Sequence, residues 1–342
     1  MILVTGGNGY IGSHTITELI RSGYTDIVSV DNRSRTHFDA MERIREMTGV
    51  EVRNNETDIC DRDAFLSVVG NLGKVDAVFH FAAYKSVPES LGNPLAYYRN
   101  NIVSLLNVLE ACRTFSIPRL VFSSSCAVYG DVEALPVSED TPIGKAENPY
   151  AETKQMGETM IRSFAAANDG FSAVILRYFN PIGADDSGLN GETPDAGNKN
   201  LMSAIIDVAL GNVPELRIFG TDYGTRDGSC LRDFVHVSDI ARAHVNAMEL
   251  PTERMNGNSV ELFNLGSGNG VSVLEMKDCF ERVTGIGLNA RIEPRRAGDI
   301  PAIFSDNSKA CSGLGWRCTH GLESMVLSAW KWACNANHIT IP

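Results

Sequence analysis

The chain has 342 residues, of which 43% are hydrophobic and 21% charged, and its formal net charge is -12. This composition is typical of a soluble globular protein with a large core and room for two domains. The negative charge argues against a general nucleic-acid binder and against attraction to anionic membranes. No apolar run approaches about 18 residues, and an apolar strand begins at once with Met1-Ile2-Leu3-Val4, so we expect no membrane span, no signal peptide and a cytoplasmic protein.

The first half of the chain alternates strand-like apolar runs with longer helical patterns. We predict strands at Ile2–Thr5, Ile27–Asp31, Val50–Arg53, Val75–His80, Arg119–Ser124 and Ser172–Tyr178. We predict helices at Tyr10–Arg21, Arg62–Val69, Leu95–Phe115 and Pro149–Ala167. Such alternation indicates a parallel sheet with crossover helices, and hence an α/β fold.

The amino-acid composition changes after Asn180-Pro181. Residues Gly183–Asn200 are rich in Gly, Asp, Asn and Pro, which predicts a long functional loop. Later elements are predicted as a helix at Leu201–Leu210, a strand–helix unit at Phe234–Leu250 with Ser238 as N-cap, and a strand at Glu261–Leu265.

The cysteines are at positions 60, 112, 126, 230, 279, 311, 318 and 334 and form no Cys-x-x-Cys pair. In a chain without a secretory signal, this spacing favours thiols over disulfides or a metal site. We therefore predict no metal site.

A glycine-rich loop, Thr5-Gly6-Gly7-Asn8-Gly9-Tyr10-Ile11-Gly12, lies between the first strand and the first helix. Glycines there allow a tight turn, close approach of the backbone to a pyrophosphate, and close packing of helix on strand. Asp31 ends the second strand about 20 residues on, where a carboxylate can bind both ribose hydroxyls of NAD. We therefore predict a Rossmann-type, doubly wound sheet that binds NAD. Arg33 and Arg35 follow closely and leave weak NADP use open.

Tyr150 and Lys154 are four residues apart in a predicted helix, so their side chains share one face. A free tyrosine, with a pKa of about 10, is a poor base at neutral pH, and a nearby cation favours its phenolate. Ser125 lies about one element upstream and could hold a substrate oxygen beside the phenol. Tyrosine and lysine at this spacing also occur as ordinary surface pairs, so the interpretation depends on the rest of the chain.

With the glycine loop, Ser125, Tyr150 and Lys154 in order, the chain resembles the extended short-chain dehydrogenase/reductase family. Blocks similar to the UDP-glucose 4-epimerases of that family occur at Thr5–His14, His80–Ser90, Phe122–Gly130, Leu176–Gly183, Arg232–Val237 and Arg295–Ala302. They are spread over nearly the whole chain. The resemblance implies an NAD-dependent isomerase that interconverts UDP-galactose and UDP-glucose through a transient 4-keto sugar, with tightly bound NAD.

The resemblance also implies roles for single residues. Tyr150 is then the base, Lys154 binds the nicotinamide ribose and depresses the pKa of Tyr150, and Ser125 hydrogen-bonds the sugar oxygen. The implied cofactor positions are Gly6, Gly7, Gly9, Tyr10, Ile11, Gly12, Asp31, Asn32, Asp58, Ile59, Phe81, Ala82, Ala83, Lys85, Asn100, Ser123, Tyr150, Lys154 and Tyr178. The implied substrate positions are Lys85, Ser125, Tyr150, Phe179, Asn180, Asn200, Leu201, Phe219, Arg232, Arg296, Asp299 and Ile303.

Simpler explanations stay open at some positions. Asn100, beside Asn101, could serve only as a helix cap, and Asp58 could be an ordinary turn residue. His80 is interpreted as a satisfied core histidine rather than a catalytic one.

The resemblance implies an NAD-binding Rossmann domain at residues 1–180, to which residues 235–267 return. A smaller mixed α/β domain at residues 181–234 and 268–342 would bind the UDP-hexose. The resemblance also implies a homodimer through a helix bundle, and the helices starting near Pro94 and Pro149 agree with this, since they are too apolar for a single buried stripe.

Single residues help to distinguish the implied reaction from other functions found on the same fold. The 4,6-dehydratases of this fold use an Asp-Glu pair directly after the position of Ser125, where this chain has Cys126 and Ala127. Epimerases of UDP-glucuronate or UDP-N-acetylglucosamine remain alternatives. A non-catalytic dinucleotide sensor is a remote one, because such proteins lose the Tyr/Lys pair.

Three departures from the family pattern affect specificity. Ile303 stands where many epimerases restricted to UDP-glucose and UDP-galactose have tyrosine, so we expect side activity on the N-acetylated pair, UDP-GlcNAc and UDP-GalNAc. Ala297 and Phe234 stand where Glu and Tyr are frequent, and each removes a hydrogen-bonding group at the nucleotide site.

Overall fold

The computed structural model describes residues 1–36, 39–132, 134–193, 200–255, 259–296 and 299–339. The strands are β1 (Ile2–Thr5), β2 (Ile27–Val30), β3 (Arg53–Asn55), β4 (Ala77–His80), β5 (Arg119–Ser125), β6 (Ser172–Tyr178), β7 (Asn180–Ile182), β8 (Leu216–Phe219), β9 (Leu231–His236), β10 (Val260–Leu265), β11 (Gly270–Ser272), β12 (Ala290–Glu293) and β13 (Ala302–Ile303). The helices are α1 (Tyr10–Arg21), α2 (Ala40–Thr48), α3 (Arg62–Gly70), α4 (Val87–Gly92), α5 (Pro94–Thr114), α6 (Pro149–Ala167), α7 (Leu201–Ala209), α8 (Val237–Glu249), α9 (Val273–Thr284), α10 (Ser308–Gly313) and α11 (Leu322–Ala336). Short 3-10 helices occupy Cys126–Tyr129 and Thr252–Met255.

A parallel sheet of seven strands lies at the centre of the described part of the chain, in the order β10-β6-β5-β4-β1-β2-β3. The order reverses between β1 and β4, and the crevice at the carboxyl ends of such strands is where doubly wound sheets bind ligands. Strands β1, β2, β4 and β6 are buried along their whole length, as expected where helices cover both faces. The predicted α/β, Rossmann-type fold is confirmed.

Each face of the sheet has its own hydrophobic core. On one face, Ile16 and Leu19 of α1 pack with Ile240 of α8 against Val4. On the other face, Phe65 of α3, Leu105 of α5 and Ile161 of α6 pack against strand residues. The sheet is therefore held between two helical layers, and its carboxyl edge is positioned rigidly.

A smaller mixed unit follows in the second half. Strand β9 pairs with β7, β11 and β13, and β8 pairs with β12. Helices α7, α9 and α11 cover a third core that contains Met202, Phe280 and Trp330. This confirms a smaller second domain of mixed α/β type. After β9, the chain returns to the large sheet, where β10 pairs with β6.

The predicted strand at Val50–Arg53 is wrong in its boundaries, since β3 begins at Arg53. Val50 and Val52 instead pack into the core beside α2, so their apolar character reflects burial rather than strand pairing. Strands β2 and β4 are also slightly shorter than predicted. Helix α2 was missed, although Asp39 caps its start and Gly49, with φ +73°, ends it.

The predicted N-cap at Ser238 is wrong as well. Helix α8 begins at Val237, and the Ser238 N–H donates to His236 Nδ1 at 3.1 Å. Because β9 runs into α8 without a linker, the last strand residue caps the helix.

No described helix is long and apolar enough to cross a bilayer. The eight cysteines carry free thiols. In the described ranges, no three or more His, Cys, Asp or Glu side chains come together as a metal site.

Candidate active site

The turn between β1 and α1 needs glycine for reasons of space. Gly6 has φ +77°, and a Cβ there would lie 2.7 Å from the Ala82 nitrogen. A Cβ on Gly12 would lie 2.2 Å from the Gly6 carbonyl oxygen. At Gly9, which precedes α1, the nearest protein atom to an added Cβ is 3.2 Å away. Packing within the protein demands glycine less at Gly9, which is where a pyrophosphate would need bare backbone.

Asp31 lies directly after β2, at the carboxyl edge of the seven-stranded sheet. Its carboxylate accepts hydrogen bonds from the Asn8 N–H at 3.0 Å and the Arg33 N–H at 2.7 Å. Burial raises the pKa of Asp31, and these two donors oppose the rise. The side-chain amide of Asn8 is buried, and neither its oxygen nor its nitrogen has a partner among the described residues. Helix α1 also begins without a side-chain cap from the described part of the chain. Unmatched polar groups beside a helix N-terminus fit an anionic dinucleotide.

Tyr150, Lys154 and Ser125 come together where β5 ends and α6 begins. Asn148 caps α6 by accepting the Ala151 N–H at 2.9 Å, so the helix starts just before Tyr150. Lys154 Nζ lies 5.9 Å from the centre of the Tyr150 ring. It donates to the Ser123 carbonyl oxygen at 2.6 Å and is only 5% exposed.

Burial changes the titration of both catalytic candidates on α6. It raises the pKa of Tyr150 to about 12, and a hydrogen bond with Ser125 opposes the rise. It lowers the pKa of Lys154 to about 7, and the Glu158 carboxylate opposes this. Burial penalises a lone phenolate and a lone ammonium alike, so the two charges stabilise each other when they form together. Burial by itself therefore favours the neutral phenol of Tyr150.

A buried ion pair joins the elements that carry these residues. Arg177 of β6 donates to Glu158 of α6 through Nε at 2.9 Å and Nη2 at 2.7 Å. The Ser124 hydroxyl of β5 donates to the same carboxylate at 2.6 Å. Sequence reasoning missed Glu158 and Arg177. The available signal was the spacing of Tyr150, Lys154 and Glu158, which places all three on one helix face.

Asn101 ties the loop after β4 to two helices. Its side chain accepts the Tyr84 N–H at 2.8 Å and donates to the Tyr84 oxygen and the Thr153 hydroxyl, each at 3.0 Å. This loop carries Phe81, Ala82, Ala83 and Lys85, which are half-buried or exposed. Asn100 donates to Asn101 at 3.0 Å, and both lie inside α5 rather than at its cap. Asn101 was also missed.

Three further predicted cofactor positions lie in or beside turns. Asp58 accepts the Cys60 N–H at 2.9 Å, and the buried Ile59 accepts from Asn107 at 2.7 Å. Asn32 is exposed and accepts the Ser34 N–H at 3.1 Å. These contacts account for the local turns, and the roles of these residues toward a cofactor stay predictions.

Two further side chains at this edge, His80 and Tyr178, are buried, and Tyr10 is half-buried. His80 Nδ1 lies 2.7 Å from the Thr5 hydroxyl, and burial lowers the His80 pKa to about 3, as in a satisfied core histidine. Tyr178 is the sheet neighbour of Ser125 and contacts His244. The Tyr10 hydroxyl donates to the Gly183 oxygen at 2.6 Å.

The second unit carries the charged side chains that are predicted to bind the substrate. Arg296 donates to Asp299 Oδ1 at 2.7 Å and lies 5.3 Å from the centre of the Phe219 ring. Arg232 donates to the Leu231 and Ile300 oxygens at 2.8 and 3.0 Å. Phe219, Arg296 and Asp299 thus form one cluster.

Glu192 connects two predicted ligand contacts. It lies 2.7 Å from Lys85 Nζ and accepts from Asn200 Nδ2 at 2.5 Å. Asn200 also caps α7, directly before the half-buried Leu201. Glu192 lies in the Gly-rich loop, where no pattern identified it. Residues 194–199 of that predicted loop lie outside the described residues.

Ile303, predicted to contact the sugar, belongs to a small apolar cluster. Ile303 is 3% exposed and packs in a cluster with Phe179, Val128 and Tyr129. Asn180 begins β7, and its side-chain oxygen is buried without a partner in the described ranges. Phe234 is buried, and Ala297 lies outside the described residues.

Comparisons with known proteins agree with this geometry. Residues 2–266 match the model of the NAD dependent epimerase/dehydratase family. The chain is 45% identical over 331 residues to the UDP-glucose 4-epimerase of Bacillus subtilis (strain 168), covering 97% of this chain and 96% of that protein. A crystal structure of UDP-glucose-4-epimerase from Stenotrophomonas maltophila with bound NAD and formylated UDP-arabinopyranose is 41% identical, with a TM-score of 0.93 and 98% of each chain covered. The Bifidobacterium longum UDP-glucose 4-epimerase in complex with NAD+ and UDP is 38% identical, with a TM-score of 0.92 and 98% coverage of each.

Proposed function

Because the chain belongs to the NAD dependent epimerase/dehydratase family, we propose that it interconverts UDP-galactose and UDP-glucose by inverting the sugar C4 centre. The observation that supports the proposal is that Ser125, Tyr150 and Lys154 lie at the same carboxyl edge of the sheet as the glycine turn and Asp31. The names of the similar proteins favour this reaction over the epimerisation of UDP-glucuronate. The chain is accordingly an isomerase with no net redox change.

NAD fits the residues around the turn. Asp31 would bind the adenosine ribose, the N-terminus of α1 would bind the pyrophosphate, and Lys154 would bind the nicotinamide ribose. The side-chain amide of Asn8, which has no partner among the described residues, supports this placement. When bound, NAD supplies a cationic hydride acceptor that becomes the hydride donor for the return step.

Side chains of the protein transfer the proton of the sugar 4-hydroxyl group. Tyr150 takes the 4-hydroxyl proton and later gives it back, and the Lys154 ammonium stabilises the phenolate. Ser125 hydrogen-bonds the same sugar oxygen. Since burial disfavours both charges on α6, the phenolate forms only beside added positive charge.

The sugar must turn as a 4-keto species between the two hydride transfers. It therefore cannot be gripped tightly, and the nucleotide has to supply most of the binding energy. Arg232 and Arg296 suit the diphosphate because a guanidinium forms paired hydrogen bonds with phosphate oxygens. We propose that Phe219, Asn180, Asn200 and Asp299 complete the nucleotide site.

We propose the same domain division as predicted, with residues 1–180 and 235–267 holding NAD and residues 181–234 and 268–342 holding the UDP-sugar. The return of β10 to the large sheet and the cluster around Arg296 support this division. We also propose a cytoplasmic protein, which the free thiols support.

We propose that the protein is a homodimer that pairs through α4, α5 and α6. Leu91, Leu95 and Leu106 are 61%, 77% and 50% exposed, and Met156 of α6 is also exposed. Exposed apolar side chains of this size on neighbouring helices favour burial against a partner.

The function is tested by incubating purified protein with UDP-galactose and no added NAD. We expect UDP-glucose to form and NAD to be released when the protein is denatured. Bound NAD without UDP-glucose formation would instead favour a non-catalytic sensor.

The role of Tyr150 is tested with Tyr150→Phe. We expect kcat to fall by roughly 10²–10⁴, as for a lost acid–base group, while the Kd for UDP stays within about twofold. The matched control is Tyr24→Phe, which removes only an exposed hydroxyl bonded to Glu249. A large loss of UDP affinity in Tyr150→Phe would contradict its assignment to proton transfer.

A further inference from the structure

His244 lies on α8 and is completely buried. Its Nδ1 is 2.8 Å from the Ile240 carbonyl oxygen, and its Nε2 is 2.6 Å from the Tyr178 hydroxyl oxygen. A carbonyl oxygen can only accept, so Nδ1 carries the hydrogen. Nε2 is then an acceptor, and the Tyr178 hydroxyl must donate to it. The geometry thus determines the direction of both hydrogen bonds.

His244 supports two of the predicted cofactor-contacting side chains together. Its ring centre lies 4.8 Å from that of Phe81 and 5.6 Å from that of Tyr178. Burial lowers the pKa of His244 to about 4, so the imidazole stays neutral under physiological conditions. The neutral His244 imidazole, as acceptor of the Tyr178 hydrogen bond, holds the Tyr178 ring without adding charge to the site.

Tyr178 is close to the catalytic group. It is the direct sheet neighbour of Ser125, and an ionised Tyr150 would raise the Tyr178 pKa further. Among the described residues, Ser125, Cys126, Lys154 and Tyr178 present polar groups that interact with Tyr150. Among them, Tyr178 is an additional hydroxyl donor whose hydrogen already has an acceptor elsewhere. If that hydrogen turned toward the phenolate, it would stabilise the phenolate and weaken the base.

We propose, on the basis of the epimerase function above, that His244 is a positioning residue of the reaction. By accepting the Tyr178 hydroxyl hydrogen, it fixes the Tyr178 ring at the cofactor site and directs that hydrogen away from Tyr150. His244 acts through Tyr178 and touches no reacting atom.

The test compares His244→Leu, His244→Gln, Tyr178→Phe and the double variant His244→Leu/Tyr178→Phe. Leucine removes the acceptor but keeps an apolar side chain, whereas glutamine retains an acceptor near the place of Nε2. In His244→Leu we expect kcat to fall about tenfold, in line with the loss of one buried hydrogen bond, with KM within about twofold. We expect His244→Gln to restore most of this loss.

The pH profile gives a readout that a purely structural role would not move. Activity rises with pH as Tyr150 loses its proton, and an extra donor lowers the pKa of Tyr150. The acid limb of kcat should therefore shift to lower pH in His244→Leu, and the shift should vanish in the double variant. The buried-histidine control is His236→Gln, at the start of the same helix, which should change the melting temperature but not the acid limb.

Bound NAD per protein, released by denaturation, is measured for every variant. We expect it to fall in His244→Leu and to recover in His244→Gln. A lower melting temperature with unchanged NAD content, turnover and acid limb would make His244 a core residue only and overturn the proposal. Effects of His244→Leu that persist fully in the Tyr178→Phe background would also overturn it. Absence of UDP-galactose turnover in the unaltered protein would instead refute the proposed function, and the NAD contents would still test His244.

Discussion

Ile303 is the residue that we propose limits the size of the sugar pocket, and it occupies a fully packed position. Its side chain is buried beside Phe179 and Tyr129, and branching at Cβ leaves it few rotamers. A tyrosine at this position cannot be accommodated within the cluster without displacing its neighbours. Its phenol would have to extend toward the substrate, which would shorten the pocket.

We expect the protein to convert UDP-N-acetylglucosamine more slowly than UDP-glucose. In Ile303→Tyr, kcat/KM for the acetylated substrate should fall by about tenfold or more, within the range that pocket contacts supply. The value for UDP-galactose should change little. The control is Ile143→Tyr at an exposed isoleucine. Equal kcat/KM of Ile303→Tyr and the unaltered protein on the acetylated sugar would refute the pocket explanation.

Tyr150, Lys154 and the glycines were predictable because their spacing within a few residues carries the chemistry. The spacing also places Glu158 on the helix face of Tyr150 and Lys154, but its ion pair was not predictable, because its partners Ser124 and Arg177 come from two other elements. His244 was missed for the same reason, since its contact with Tyr178 joins distant parts of the chain. Side chains that act across elements leave no local pattern to recognise.

At the scale of elements, Asn101 of α5 holds the loop after β4 in place. Three of its hydrogen bonds reach Tyr84 and Thr153, so the loop and α6 are fixed relative to α5. Asn101→Ala leaves the Tyr84 N–H and oxygen without these partners, at a cost of about 1–3 kcal/mol for each buried group left unpaired.

We therefore expect Asn101→Ala to retain at least about tenfold less NAD through gel filtration, measured by absorbance after denaturation. The matched control is Asn71→Ala, whose exposed amide binds only the Ser67 oxygen of its own helix. NAD retention equal to that of the control would show that the loop does not depend on Asn101.

The elements with strong local signals were predicted accurately. Helices α1 and α6 and strands β1 and β6 have the predicted bounds. For α6, Asn148 and Pro149 mark the start unambiguously. The prediction failed at the junction of β9 with α8. There the His236 ring acts as the helix cap, which residue preferences do not suggest. The mixed second unit was only partly predicted, since its short strands depend on pairing between distant segments.

At the scale of the whole molecule, buried histidines make stability depend on pH. Burial lowers the pKa of His80 and His236 to about 3 and of His244 to about 4. Histidine in the unfolded chain titrates near about 6.5, so below that pH the unfolded state binds more protons and folding stability falls. Asp31 and Glu139, whose pKa values are raised by burial, act in the opposite direction at lower pH.

We expect the free energy of unfolding to be on the order of 2–6 kcal/mol lower at pH 5 than at pH 7, since each histidine contributes up to about 1.4 kcal/mol per pH unit. Urea titrations at both pH values measure this. Replacing the exposed His338 by asparagine should leave the difference unchanged. Equal stability at the two pH values would contradict the prediction.

The proposed dimer is tested at the most exposed leucine of its surface. Leu95→Glu places a charge in the apolar patch, and sedimentation velocity should show a monomer where the unaltered protein is a dimer. Ile292→Glu, at a 64% exposed isoleucine on β12, should remain dimeric. A monomeric unaltered protein at micromolar concentration would rule out the dimer.

The late position of β10 has a consequence for synthesis. Strand β6 is buried along its whole length, and one of its edges is covered only when β10 pairs with it. The ribosome must make the whole stretch from Tyr178 to Val260 in between, which at roughly 5–20 residues per second takes on the order of ten seconds. During that time an apolar strand edge can pair with another nascent chain. A chaperone that shields this edge, or slow codons placed after β10, would therefore affect the yield of soluble protein more than the same measures applied early in the chain.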